Sequence, residues 1–265
     1  MTRMEIRNAE QFLQPPEAVI FDTDNTLYHY DPPHRKAMLA TEAKAAKLLG
    51  VGNGEFKDAF DKARQMVKAR LGSTASSHSR LLYFQRTVEL LGLKTQLLIT
   101  LDLEQTYWRT FLSHCELYPG VRNLIMAVRA RGIHTAIITD LTSQIQFRKI
   151  VYFGLDDCFD YVVTSEEAGI DKPASAPFEM ALEKLGTPAE KTWFVGDNPV
   201  ADILGARKSN MVTLQKWHRD VVVRDDEDES DLVFDEFPVL HRFIEGKGWI
   251  GDQSDTIPNF RWPDP

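Results

Sequence analysis

The chain has 265 residues, 43% of them hydrophobic and 26% charged, a balance that excludes a disordered or collagen-like chain and allows one large domain or two modest ones. Its net charge of −8 argues against a nucleic-acid partner, though a local lysine or metal can still attract a phosphate ester against that distant field. Two cysteines, Cys115 and Cys158, lie far apart and in no metal-ligand spacing, and no apolar run reaches the length of a membrane span. Residues 1–17 lack the apolar stretch of a signal segment, so the expectation is a cytoplasmic protein with buried, inert thiols and no membrane partner.

In chain order, residues 1–17 are mixed and polar, end in Pro15-Pro16, and read as an irregular lead-in. Ala18-Val19-Ile20-Phe21 then forms a short apolar run, as expected for a strand buried on both faces of a parallel sheet. It runs into Asp22, with Asp24 two positions on and Thr26 two beyond that. From Asp31-Pro32-Pro33, read as an N-cap and helix start, the period changes to helical, with Gly50 as the stop. Phe56, Phe60, Ala63, Val67 and Leu71 mark a second helix; Leu81, Phe84, Val88 and Leu91 a third; Leu97, Leu101, Trp108 and Leu112 a fourth. Residues 31–117 therefore read as an all-helical insertion, with residues 1–30 and 118–265 as the domain that hosts it.

After Tyr118-Pro119-Gly120 the pattern alternates. Helices are expected near 121–131, 143–153, 178–185 and 200–208, and strands at 135–138, 161–163, 192–195 and 211–214. Strands alternating with helices of this length predict βαβ crossovers and a parallel α/β sheet. Leu232-Val233-Phe234 reads as an edge strand and 237–244 as a last helix. The acidic run 224–231 is expected to be a solvated loop, and Trp249, Phe260 and Trp262 to pin the tail to the surface.

The pair Asp22 and Asp24 needs a reason, because carboxylates so close at the end of an apolar strand repel unless a cation lies between them or one is protonated. A calcium loop is excluded, since its sixth position would be Leu27 rather than glycine and its twelfth Pro33 rather than glutamate. A plain polar strand end and an aspartate nucleophile with a carboxylic-acid partner remain. The other strand ends favour the nucleophile. Thr139, Asp197 and the loop residue Lys172 fall on the carboxyl edge of the same parallel sheet, where distant segments converge. Phosphoryl transfer needs such a set. Asp22 can attack phosphorus, Thr139 can donate to its oxygens, and Lys172 can balance their charge. Asp197 with Asp22 can hold Mg²⁺, and Asp24 can protonate the leaving oxygen and then activate water.

These segments resemble the four motifs of the haloacid dehalogenase superfamily: Asp22-Thr23-Asp24-Asn25-Thr26; the strand ending in Thr139; Lys172-Pro173; and Gly196-Asp197-Asn198-Pro199-Val200-Ala201-Asp202 followed by Gly205-Ala206. The resemblance covers about residues 18 to 216 and implies a Rossmann-like α/β core with the insertion as a C1 helical cap. Gln146, Lys149 and Ser165-Glu166-Glu167 are similar to the nucleotidase and acylneuraminate-phosphatase branch. The resemblance implies Asp22 as nucleophile and Mg²⁺ ligand, and Asp24 as acid/base with its carbonyl on the metal. Thr139 and Lys172 are implied as phosphate binders, Asp197 as the third protein ligand, and Asp202 as a supporting carboxylate, with Thr26 and Asn198 beside them in the motifs. Asp140, also at the phosphate position, departs from the branch's usual asparagine. An acid there brings negative charge towards phosphate unless it is protonated, turned away or paired with a cation.

The expected activity is Mg²⁺-dependent hydrolysis of a small phosphomonoester, a nucleoside monophosphate or sugar phosphate, through an aspartyl-phosphate. The alternatives are a receiver-like or catalytically silent binding protein and a haloacid dehalogenase; Asp24 speaks against the dehalogenase, because halide departure needs no proton. Candidates for reading the substrate are His29, His34, Arg35, His78, Arg80, Tyr83 and Arg86. The insertion is expected to move as a lid on hinges near residues 28–31 and 114–118.

Overall fold

The structure is a computed structural model that describes residues 3–221, 223 and 229–246. Residues 224–228 of the acidic run and the aromatics Trp249, Phe260 and Trp262 lie outside the described residues.

Seven strands form one sheet: β1 (Met4–Ile6), β2 (Ala18–Phe21), β3 (His134–Thr139), β4 (Tyr161–Thr164), β5 (Thr192–Gly196), β6 (Val212–Lys216) and β7 (Leu232–Phe234), in the order β1-β7-β6-β5-β2-β3-β4. All neighbouring pairs are parallel except β1 with β7. The lead-in is thus not irregular throughout. Met4–Ile6 pairs antiparallel with Leu232–Phe234, so β1, rather than β7, forms that edge. Three residues with one inward side chain carry too little periodicity to announce a strand.

β2 is central because it is apolar on both sides. Val19 and Phe21 join one core cluster, Ala18 and Ile20 the other, and all four are buried. Each larger side chain so buried contributes about 1.5–3 kcal/mol. The chain leaves β2 towards β3 and β4, then returns past it to β5 and β6. That reversal places a crevice at the carboxyl end of β2, between β3 and β5.

Between β2 and β3 lie α1 (Asp31–Leu49), α2 (Asn53–Leu71), α3 (Arg80–Leu90) and α4 (Leu97–Ser113). Asp31 begins α1 rather than capping it, and its carboxylate lies 3.9 Å from Arg35. Gly50 ends α1 in the left-handed region at φ 68° and returns its N–H to Ala46 at 3.0 Å, a close that glycine makes without strain. The inward face of α4 differs from the expected stripe. Leu103, Tyr107, Trp108 and Phe111 are buried, whereas Leu97 and Leu101 are exposed. A helix apolar on two faces can be phased either way by sequence, and packing against α1 and α3 chooses. The two strands of chain that join the insertion to the sheet run side by side: Tyr28 bridges Leu117, and Tyr118 donates its N–H to Leu27 at 2.9 Å.

The remaining helices are α5 (Val121–Ala130), α6 (Ser143–Tyr152), α7 (Ser165–Ala168), α8 (Ser175–Leu185), α9 (Gly205–Lys208) and α10 (Phe237–Glu245), with a π-helical turn over Pro199–Leu204. Among the described residues, no helix is long and apolar enough to cross a membrane. Both cysteines are buried and unpaired, and burial pushes the Cys115 thiol up to about 12. At the end of the acidic run Asp231 is buried, and its carboxylate accepts the backbone N–H and hydroxyl of Thr213, each at 2.8 Å.

Candidate active site

Asp22 leaves β2 still in strand register, its N–H donating to Val195 of β5 at 2.9 Å. Asn25 then turns the chain at φ 64°, a left-handed conformation that asparagine tolerates. Its Oδ1 accepts the Tyr30 N–H at 3.0 Å, which fixes the turn. Thr26 Oγ1 donates to Asp22 Oδ2 at 2.8 Å and lies 3.3 Å from Asp197 Oδ1, so one hydroxyl links the first strand end to the fourth motif.

Lys172 enters from the loop after β4 and is almost fully buried. Its Nζ donates to Asp22 Oδ1 at 2.8 Å, Asp202 Oδ1 at 2.6 Å and the Ile138 carbonyl at 3.3 Å. Asp202 packs beneath the end of β5. A Cβ on Gly196 would come within 2.6 Å of its Cγ, so that strand end must be glycine. Asn198 holds the turn between them: its N–H donates to Asp202 Oδ2 at 3.0 Å, and its Oδ1 accepts the Val200 and Ala201 N–H groups at 2.9 Å.

Asp22, Asp197 and Asp202 each present a carboxylate oxygen within 4.8 Å of the others. Burial pushes Asp22 up to about 6 against the pull of Lys172. It raises Asp202 to about 6 and Asp197 in the same direction. Three buried carboxylates around one ammonium leave excess negative charge, and a hard divalent cation with oxygen ligands would cancel it. This donor set fits Mg²⁺. The Asp24 carboxylate is engaged elsewhere, which leaves its backbone carbonyl as the atom of that residue expected at the metal.

Asp24 Oδ1 accepts Lys149 Nζ at 2.7 Å, the Tyr28 hydroxyl, and the Thr23 hydroxyl at 3.3 Å; Oδ2 takes part in none of these bonds. Burial would raise its carboxyl, but Lys149, Tyr28 and the more distant Arg80 together hold it below the ordinary range. Lys149 is itself buried under the rings of Tyr28, Trp108 and Phe111, at 5.6–5.7 Å. Thr139, at the end of β3, accepts Gln146 Nε2 at 2.6 Å and lies 2.9 Å from the Thr23 hydroxyl. Asp140 accepts the backbone N–H of Lys172 at 2.9 Å, an acceptor role that an asparagine oxygen could also fill, and burial raises its carboxyl.

The candidates for reading the substrate divide. His78, Arg80 and Tyr83 line a cleft of about 210 Å³ with Asp24, Asn25, Tyr30, Arg64, Lys68, Trp108 and Asp140. His29 lines a different cavity, of about 440 Å³, with Asp197 and His218. His34 is held by the Tyr107 hydroxyl at 2.7 Å, and burial lowers it to about 4. Arg35 is exposed beside Asp31, and Arg86 pairs with Glu89 at 3.0 Å on a separate groove. Neither of these arginines lines the cleft.

Several residues escaped the sequence reading. His218 Nε2 lies 3.2 Å from Asp197 Oδ2. It follows β6, whose carboxyl end shares the site's edge, and that rule could have found it. Arg64 and Lys68 stand one helical turn apart on α2, a spacing too common on exposed helices to be a signal. His78 Nε2 pairs with Asp171 at 3.0 Å, and the Asp171 N–H donates to Ser73 at 3.1 Å, so the insertion touches the loop that carries Lys172.

The chain matches the haloacid dehalogenase-like hydrolase family over residues 16–210. It is similar to a ribulose-1,5-bisphosphate 5-phosphatase of Halopiger xanaduensis, 38% identical over 81% of this chain and 87% of that one. A glyceraldehyde 3-phosphate phosphatase of Methanocaldococcus jannaschii is 27% identical over 84% of this chain and 95% of that one. Among solved structures, a 2-haloacid dehalogenase from Pseudomonas syringae shares the fold with a TM-score of 0.69 at 20% identity, covering 86% of this chain and 98% of that one. Together with the strand-end acids and the buried lysine, the family match places this chain in the haloacid dehalogenase-like hydrolase family.

Proposed function

We propose that the protein is a Mg²⁺-dependent phosphatase that hydrolyses a small phosphomonoester through a phosphoaspartate on Asp22. The observation that carries this reading is the Asp22 carboxylate at the mouth of the crevice, bonded to Lys172 at 2.8 Å and within 4.8 Å of the Asp197 and Asp202 oxygens. The phosphatase names of the two relatives support a sugar phosphate over a nucleoside monophosphate.

In the first step an Asp22 oxygen bonds to phosphorus, the ester P–O bond breaks, and the leaving oxygen takes a proton from Asp24, which is ionised in the empty site and gains that proton from solvent when the negative charge of the ester enters beside it. In the second step Asp24 takes a proton from water, whose oxygen attacks phosphorus; the acyl phosphate bond breaks and inorganic phosphate leaves Asp22 free. Lys172 balances the charge that grows on the transferring oxygens, and the Thr139 hydroxyl donates to one of them. Asp22 and Asp197, with the Asp24 backbone carbonyl, would hold Mg²⁺, Asp202 would support them from its bonds to Lys172 and Asn198, and the metal would supply further neutralisation of the phosphate charge. Residues 31–117 act as a lid, with the paired linkers at Tyr28 and Leu117 as hinge, and exclude water while the ester reacts.

Phosphate release from a panel of sugar phosphates and nucleoside monophosphates tests the reading. Release should require Mg²⁺, vanish on chelation and return on adding the metal. Undiminished release after thorough chelation would remove the metal from the reaction.

A further inference from the structure

The wall that the helical insertion turns towards Asp24 carries more positive charge than its neighbours use. Arg64 and Lys68 of α2 and Arg80 of α3 converge on the cleft of about 210 Å³. Among the described residues none of the three takes part in a salt bridge. Burial lowers the Lys68 ammonium, and the charges of Arg64 and Arg80 lower it further, against a weaker opposing pull from Asp171.

Arg80 is rigidly placed. Its guanidinium lies over the rings of Tyr83, Tyr107 and Trp108 at 5.2–5.8 Å, and its Nη atoms donate to the His78 carbonyl and the Tyr30 hydroxyl. Its Nε is buried with no hydrogen-bond partner.

The nearby carboxylates each have a closer partner. Asp24 is bonded to Lys149, Asp140 to the Lys172 backbone and Asp171 to His78. Three cations in no salt bridge therefore line the cleft, with Asp24 acting on Arg80 and Asp171 on Lys68 only from a distance. A hydroxyl neutralises none of them, and a single carboxylate only one. A phosphate carries up to two negative charges and enough acceptor oxygens for two guanidinium groups and an ammonium.

We propose that Arg64, Lys68 and Arg80 form a subsite for a second phosphate, so that the substrate is a short bisphosphorylated polyol or sugar hydrolysed at the end that reaches Asp22. This rests on the phosphatase reading above and adds the class of substrate to it. The lysine and arginine of α2 read the distal phosphate, and Arg80 anchors it from the aromatic floor.

The test compares kcat/KM for a pentose bisphosphate, the matching pentose monophosphate, and a phosphorylated hydroxy acid that carries a carboxylate in place of the second phosphate. Wild-type protein should favour the bisphosphate over both by about tenfold or more, the effect of one well-placed charged hydrogen bond. Arg64→Ala and Lys68→Ala change exposed or half-buried side chains, so they should fold normally, and each should cut the bisphosphate-to-monophosphate ratio by about tenfold, mainly through KM. Arg86→Ala, on the separate groove, should leave the ratio as in wild type. Equal kcat/KM for bisphosphate and monophosphate, a preference for the carboxylate ester, or a ratio unmoved by both α2 variants would overturn the subsite while leaving the phosphatase intact. No phosphate from any of the three esters would instead overturn the phosphatase reading, and the subsite with it.

Discussion

Asp22 and Asp24 are two residues apart, and each is bonded to a buried lysine, at 2.8 Å from Lys172 and 2.7 Å from Lys149. Their surroundings nevertheless push them in opposite directions. Asp22 shares its lysine with Asp202 and lies beside Asp197, so burial wins and its carboxyl rises to about 6. Asp24 has Lys149 without a competing carboxylate, gains the Tyr28 hydroxyl and feels Arg80, and these overcome burial to hold it low. The difference teaches how one short motif supplies two roles. In the proposed reaction the group crowded by acids needs a metal to keep it ionised as the nucleophile, while the group set among cations starts as a carboxylate suited to take a proton from water, and gains the proton it gives the leaving oxygen only once the charged ester is beside it.

The sharpest way to break this contrast is to remove the shared ammonium. Lys172→Met leaves Asp22 and Asp202 buried without their common cation, which should cost about 3–5 kcal/mol of stability. It should also lower kcat by about a thousandfold, because the charge on the transferring phosphate loses its fixed counter-charge. Chemical denaturation and steady-state kinetics at saturating Mg²⁺ check the two effects. A variant as stable and as active as wild type would mean that Lys172 is incidental to both.

Asp24→Asn should have a smaller effect, and one that depends on the substrate. An alkyl ester needs its leaving oxygen protonated and should lose about 10²–10⁴ in kcat, whereas an activated aryl phosphate should lose much less in the first step. Single-turnover rates on the two esters separate the steps. Equal losses on both would assign Asp24 to holding the fold or the metal.

The contrast was only half legible in the sequence. Asp22, Thr139 and Asp197 each end a strand in an apolar run, and the parallel order of β3, β2 and β5 follows from the alternation of elements, so their convergence could be read from chain order. The environment of Asp24 could not. Tyr28 and Lys149 reach it from the turn and from α6, and nothing in the spacing of Gln146 and Lys149 says which points at the acid and which at Thr139. The helical wall was less legible still. The phase of α4 is ambiguous in the sequence because Leu97, Leu98 and Leu101 are apolar yet exposed, and charged residues one turn apart on α2 look like any solvated face. A short strand such as β1 is decided by its pairing with β7 and has no local signature.

The central claim is that Asp22, rather than a water molecule, attacks phosphorus. Rapid acid quench of the working protein, followed by mass analysis of its peptides, tests this most directly. Attack by Asp22 leaves phosphate trapped on the peptide that contains it, and Asp22→Asn should show neither label nor turnover. Fast turnover with no label on that peptide, and a single inverting transfer of oxygen from water to phosphate, would contradict it.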